Sequence, residues 1–153
     1  MSEKIFQLDD TDRAIIAALQ KNGRESYKNI AKDLDVSDGT VRLRVEKMVK
    51  AKFLKISASV DPLFFENYIV AQVGISLDAP ANTAIMEEIA RLKGVQSVNN
   101  VTGRFDLVIE IFVESRKELR HFLVEELPLI SGFRGSESFV FLESINKWAE
   151  LPD

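Results

Sequence analysis

The stretch Ser26-Tyr27-Lys28-Asn29-Ile30-Ala31-Lys32-Asp33-Leu34-Asp35-Val36-Ser37-Asp38-Gly39-Thr40-Val41-Arg42-Leu43-Arg44-Val45 decides how the N-terminal part of this chain folds. Ser26 is an N-cap residue, and Ile30, Ala31 and Leu34 follow it at helical spacing. Asp35-Val36 ends that helix, because Asp tolerates a left-handed turn conformation. Ser37 caps the next one, which carries Val41, Val45 and Met48 on one face with Leu43 beside them. Upstream, Asp9 caps a helix with Ile15, Ile16 and Leu19 inward, Asp12 near its positive end and Lys21-Asn22-Gly23 as its stop. Three short helices with a tight turn between the second and third predict a helix-turn-helix, whose last helix enters the major groove of DNA.

Charge agrees with that reading. The 153 residues carry a net charge of -4, but residues 1–61 hold 12 Lys or Arg against 10 Asp or Glu, whereas residues 62–153 hold 8 against 14. Between Asp38 and Lys55 six basic residues face two acids. Ser37, Asp38, Gly39 and Thr40 are small enough for the backbone to approach DNA. Arg42 and Arg44 supply reach to guanine edges or phosphate, and Lys47, Lys50 and Lys52 act as point charges along the backbone. Which arginine reads a base is open at this level. An ordinary solvated basic helix face is the alternative, and the three-helix context weighs against it.

Composition excludes much else. With no cysteine and one histidine, disulfide frameworks, thiolate zinc sites, cysteine nucleophiles and most histidine catalysis are ruled out. His121 sits in a helix whose inward residues are Leu119, Phe122 and Leu123, and no acid-base or metal set surrounds it in sequence, so the chain is not read as an enzyme. No apolar run approaches the ~20 residues of a membrane span, and Met1-Ser2-Glu3-Lys4 lacks a signal-peptide pattern, so a cytoplasmic protein without membrane contact is expected.

Past Lys52 the pattern becomes extended through Phe53, Leu54, Ile56 and Val60 to Asp61-Pro62, a hinge strand and domain boundary. Alternating strands are expected over 70–77, 95–101, 105–113 and about 135–145. One helix between them carries Ile85, Ile89 and Leu92, and another opens at the capping box Ser115-Arg116-Lys117-Glu118. The order β-α-β-β-α-β is a ferredoxin-like sandwich with both helices on one sheet face. The other face needs cover, and a second copy is the economical solution. Trp148 then serves as an interface or core anchor. The fold class is α+β: an N-terminal helix-turn-helix resembling a winged helix, a hinge strand, and a C-terminal βαββαβ sandwich.

The matching stretches Leu8-Asp9 with Asp12, Gly23 to Tyr27, Leu34 to Ser37, Val41 to Val45, and Thr102-Gly103-Arg104-Phe105-Asp106-Leu107 resemble the Lrp/AsnC family of prokaryotic regulators. The resemblance implies a nucleoid-associated transcription factor of the cytoplasm. Residues 1–53 would bind double-stranded DNA, with Ser26 and Tyr27 joining the third-helix contacts. Residues 54–66 would form the hinge strand and linker, and 67–153 would sense ligand and build homodimers, tetramers or octamers. Amino acids are the family's usual effectors, and no cofactor is implied. Family members commonly have Gly where this chain has Asp35 and Lys52, so Lys52 must adopt left-handed geometry at some cost or the helix must end differently.

An amino acid has needs that Thr102 to Asp106 could meet. Gly103 permits close approach, Thr102 offers a hydroxyl, Asp106 could hold an ammonium group, and Arg104 or Arg134 could hold a carboxylate. Similarity to family sites, which lie between dimers near this turn, adds Arg134, Ser136 and Ser138. A plain hairpin in which Asp106 bonds turn amides is the competing reading. For the whole chain, the competing function is an amino-acid-sensing or interaction module without sequence-specific DNA binding.

Overall fold

The structure, a computed structural model, describes residues 7–151; the Met1-Ser2-Glu3-Lys4 stretch lies outside the described residues. Two compact units divide the chain, residues 1–57 and 58–153.

In the first unit, α1 (Asp10–Lys21), α2 (Tyr27–Asp33) and α3 (Asp38–Lys50) form the expected three helices. Each is capped as its sequence requires. Asp9 accepts from the Asp12 amide and the Asp12 carboxylate accepts from the Asp9 amide, a reciprocal capping box. Ser26 and Ser37 accept from the amides of Asn29 and Thr40. Ile15, Leu19, Ile30, Ala31, Val41, Val45 and Met48 close one core, with Leu54 packed on its edge. Leu43 is not among them; it is 68% exposed, because two residues past Val41 is about 200° around the helix.

Both helix exits solve the same problem. Asp35 and Lys52 sit at φ 54° and 56°. In each, the residue after the left-handed one donates to a carbonyl five residues back, Val36 to Ala31 at 3.0 Å and Phe53 to Met48 at 3.0 Å. These are Schellman closures built without glycine. The helix therefore ends at Lys52 in left-handed geometry, the costlier of the two outcomes open from sequence.

In the second unit, β1 (Ile69–Leu77), α4 (Thr83–Ala90), β2 (Val95–Asn100), β3 (Leu107–Val113), α5 (Arg116–His121) and β4 (Phe133–Val140) follow one another. The antiparallel sheet runs β2-β3-β1-β4, with β1 paired to β3 (Val73 opposite Ile109) and to β4 (Val73 opposite Ser138). Ala71, Val73, Ile75, Leu107, Ile109 and Ile111 face Ile89, Leu119, Phe122 and Leu127 in one core. Ser115 caps α5 through the Glu118 amide, but Glu118 returns to the Glu114 amide, not to Ser115, so the expected box is offset by one residue. After His121 the helix widens over Phe122–Glu126 and tightens over Leu127–Leu129, around Pro128.

Two expectations need correction. The final strand stops at Val140, opposite Ala71 of β1, rather than at Ile145; Leu142 and Ile145 beyond it are more than 90% exposed. Among the described residues the hinge strand forms no ladder. Val60 makes an isolated bridge with Ala149, and Pro62–Phe64 follows as a short helical turn. This hinge and the tail cross the sheet face away from the helices. Val70, Phe112 and Ala149 are buried there with Val60, Phe65, Tyr68 and Phe141 against them. Lys147 pairs with Glu110 on the same side. Part of the second face is thus covered by the chain itself, while Phe139 and Trp148 stay 44% and 61% exposed.

Left-handed geometry costs a residue with a Cβ more than it costs glycine. Lys52→Gly should therefore raise the stability of the N-terminal unit by about 0.5–1 kcal/mol, read as a higher melting midpoint by calorimetry of the full chain; an unchanged or lower midpoint contradicts the strain argument.

Candidate DNA-binding and ligand-binding surfaces

The helix-turn-helix surface is built around α3. Ser37, Asp38 and Gly39 at its start are exposed and Thr40 is half-buried. The hydroxyls of Ser37 and Thr40 lie 2.8 Å apart. Arg42 is exposed, 3.9 Å from the Asp38 carboxylate, with its guanidinium 5.9 Å from the Tyr27 ring centroid. That contact brings the α2 start, Ser26 and Tyr27, beside the arginine. Lys47 and Lys50 are exposed further along.

Arg44 is engaged by carboxylates of α1 and its cap. Its Nη1 donates to Asp9 at 2.7 Å and to Asp12 at 2.8 Å. The Asp12 side chain is only 9% exposed, so the guanidinium compensates a carboxylate that water scarcely reaches. The arginine sits about 60° from Val41 on the core side of α3, which is why it meets α1 and not the surface that Arg42 occupies. The Asp12 amide, and then Arg44, hold the Asp9 carboxyl below the usual carboxylate range. The hydrogen bonds that Arg44 donates to Asp9 and Asp12 hold its guanidinium above the usual arginine range.

In the second unit the anticipated effector residues do not converge within one chain. Thr102, Gly103 and Arg104 form the exposed turn before β3, with Gly103 at φ 140°, a conformation that favours glycine. Arg104 pairs with Glu137 and its guanidinium lies 4.7 Å from the Phe105 ring centroid. Phe105 in turn lies over Gly74, where any Cβ would fall 2.4 Å from its ring, and meets Phe139 edge-on. Asp106 accepts from the Leu77 amide at 2.8 Å, tying the turn to the end of β1. This is the amide-bonding geometry, with a strand amide in place of a turn one. Ser136 and Ser138 pair with Ile75 and Val73 and share their helix-side face, whereas Glu137, and with it Arg104, belongs to the opposite face. Arg134 falls at the bulge between them. All three β4 residues are exposed.

At the opposite end of β1, a cavity of about 500 Å³ opens between Ile69, Val140 and α5, with Arg116, Leu119, Arg120 and Leu123 along it. Sequence reading missed it. The signal, two arginines at i and i+4 interleaved with two leucines at the same spacing, reads as an ordinary amphipathic helix until β4 is seen to end there. His121 is half-exposed, 3.0 Å from Glu125 and 3.4 Å from Glu126.

A capped helix-turn-helix with a basic third helix, joined to a separate ferredoxin-like unit, defines a two-domain DNA-binding regulator rather than an enzyme. Comparison with known proteins gives the same class. Residues 8–49 match the AsnC-type helix-turn-helix domain, and residues 70–149 match the Lrp/AsnC ligand binding domain. An uncharacterized HTH-type transcriptional regulator of Pyrococcus abyssi is 34% identical, over 93% of this chain and 90% of its own. Regulatory protein AsnC of Escherichia coli is 30% identical, over 91% and 93%. The solved structure of Escherichia coli AsnC superposes with a TM-score of 0.70 at 26% identity, covering 91% of this chain and 95% of that one. A transcriptional regulator of Neisseria meningitidis, solved as a complex with L-Met, shares the fold with a TM-score of 0.71 at 23% identity, over 95% and 97%. The chain belongs to the Lrp/AsnC family: it is a helix-turn-helix transcriptional regulator with a ligand-binding domain. Among the described residues no helix is long and apolar enough to cross a membrane.

Two measurements test the division of labour on α3. Arg44→Ala strands the Asp12 carboxylate and should cost about 2 kcal/mol, whereas Arg42→Ala should leave the melting curve unchanged; equal effects would contradict it. Asp9 has a depressed pKa, so its contribution is complete above the unfolded value near 4 and is lost as pH falls through the lower folded value. Asp9→Asn, which keeps the cap acceptor, should be less stable than the parent at pH 7, and the gap should close in acid below about pH 4.

Proposed function

We propose that this regulator acts as a homodimer, or a tetramer or octamer of such dimers, presenting paired α3 helices to successive major grooves. Half-sites then lie about 34 Å apart or a multiple of it. Residues 1–53 bind the duplex, and 67–153 assemble and sense, joined by 54–66. The observation that carries the reading is the division of α3, whose buried side holds Val41, Val45 and Met48 while Asp38, Gly39, Arg42, Lys47 and Lys50 remain on the outside. Ser26, Tyr27, Ser37 and Thr40 lie at the adjoining helix starts, where hydroxyls and amides suit phosphate oxygens. Arg44 serves as a positioning residue, since its charge is engaged by Asp9 and Asp12.

Dimerisation uses the sheet face away from the helices, where the exposed Phe139 continues the edge of the self-covered part. The effector is an amino acid held between dimers by Thr102, Gly103, Arg104, Asp106, Arg134, Ser136 and Ser138. Their split between two sheet faces supports a site completed by a neighbouring copy. The L-Met complex of the Neisseria meningitidis regulator supports the effector class. Such a ligand changes regulation only by binding one assembly better than another. The regulator works in the cytoplasm of a prokaryote, on nucleoid DNA.

Binding to duplex DNA, followed by fluorescence anisotropy at two salt concentrations, should weaken steeply with salt, and Arg42→Ala should lower affinity and flatten that slope by about one unit. Salt-independent binding, or an Arg42→Ala variant matching the parent at both concentrations, contradicts the interface. Phe139→Glu should convert the dimer to monomer by light scattering; an unchanged mass rules out that face. Scattering with each amino acid in turn should reveal one that changes the mass or melting midpoint, and Asp106→Ala should abolish that response.

A further inference from the structure

Leu43 stands at the centre of the exposed side of α3, and it is apolar. It is the sixth residue of the helix and lies about 200° around from Val41, 68% exposed. Gly39 lies one turn before it and Lys47 one turn after, with Glu46 and Lys50 flanking, all exposed. A single exposed leucine is ordinary on a protein surface. Its surroundings are not, because Arg42, Lys47 and Lys50, whose charges complement phosphate, share the outward side of the helix with this apolar side chain, and Glu46 lies beside it.

Gly39 is the second observation. Its backbone lies outside the left-handed region, and a Cβ built there would meet only the Ser37 hydroxyl, at 3.8 Å. The folded chain itself therefore has room for a side chain at this position, within a helix where glycine is a poor former. What a side chain there would obstruct is whatever approaches α3 from outside, directly ahead of Leu43. Arg42 stands to one side, drawn toward Asp38 and the Tyr27 ring, and so flanks the approach without covering it.

We propose that Leu43 reads the 5-methyl group of thymine in the major groove, with Gly39 keeping the helix surface low enough for that contact. The thymine methyl is the apolar feature of the major-groove code, and apolar side chains recognise it. Leu43 thus acts as a specificity-determining residue, distinct from the arginine and lysines that neutralise phosphate. The proposal rests on duplex binding through α3.

The test begins with a random-sequence duplex pool, from which the full chain selects its sites. The enriched duplex is remade with each thymine in turn replaced by uracil, which removes the methyl and keeps the pairing edge. At one or two positions in each half-site the parent should lose affinity by about 4-fold, the worth of one buried methyl-sized group. Leu43→Ala should bind the thymine and uracil duplexes alike, near the parent's affinity for uracil. Gly39→Ala should fold as the parent does and bind the selected duplex more weakly. A parent indifferent to uracil everywhere, or a Leu43→Ala variant that still discriminates, overturns this assignment and leaves DNA binding intact. A pool that yields no enriched sequence overturns the regulator's sequence-specific binding, and this contact with it.

Discussion

The circumference of α3 is the constraint from which the N-terminal unit follows. A helix offers one surface, and here it is divided three ways. Val41, Val45 and Met48 are fully or almost fully buried. Arg44, next to that stripe, crosses to the carboxylates of Asp9 and Asp12 and fixes α3 to the start of α1. What remains, from Gly39 through Leu43 to Lys50, faces outward. Because the N-caps of the three helices and the left-handed exits of α2 and α3 fix where they start and stop, the angular placement of that outer side is set by the core and not by the ligand it meets.

The C-terminal unit obeys a different periodicity with the same logic. Along β1, alternate residues serve two faces, and the helix side is complete: Ala71, Val73 and Ile75 are fully buried against α4 and α5. The other side is finished in part by hinge and tail, through Val70, Phe112 and Ala149, and in part by the Phe105 ring lying on Gly74. Of the anticipated effector residues, Arg104 sits on this second face beside the Phe105 ring, whereas Ser136 and Ser138 belong to the helix side. Arg104 and Asp106 already have partners in Glu137 and the Leu77 amide. On the proposed reading, a ligand there competes with those contacts or uses what a neighbouring copy adds, and occupancy is then coupled to assembly.

Much of this was legible in the sequence because it was written in local chemistry. Asp9, Ser26 and Ser37 announced three helix starts, the alternation from Val70 to Leu77 announced the central strand, and the order of elements announced the sandwich. The blurred features depended on partners far away in the chain. Arg44 and Arg42 are indistinguishable as letters two residues apart; only the position of α1 assigns one to carboxylates and leaves the other outside. Leu43 was grouped with the core because apolarity was read without its angle. The hinge looked like a strand because Phe53, Leu54, Ile56 and Val60 favour extension, but a ladder also needs a neighbouring strand, and among the described residues only the Val60 bridge to Ala149 supplies it. The effector residues came from the chemistry of one turn and from similarity to family sites between dimers; neither shows that strand register puts Ser136 and Ser138 on one face and Glu137, with Arg104, on the other.

The central claim is that the outer side of α3 lies in the major groove. The chain contains no cysteine, so a single one can be introduced and loaded with an iron chelate that cuts DNA where it is held. With the chelate on Glu46→Cys, the account predicts strand cleavage confined to two clusters about one helical turn apart or a multiple of it, offset between strands in the sense of a major-groove source. Cleavage spread evenly along the duplex, or no stronger than that from the same chelate on Glu88→Cys in the other unit, would contradict it.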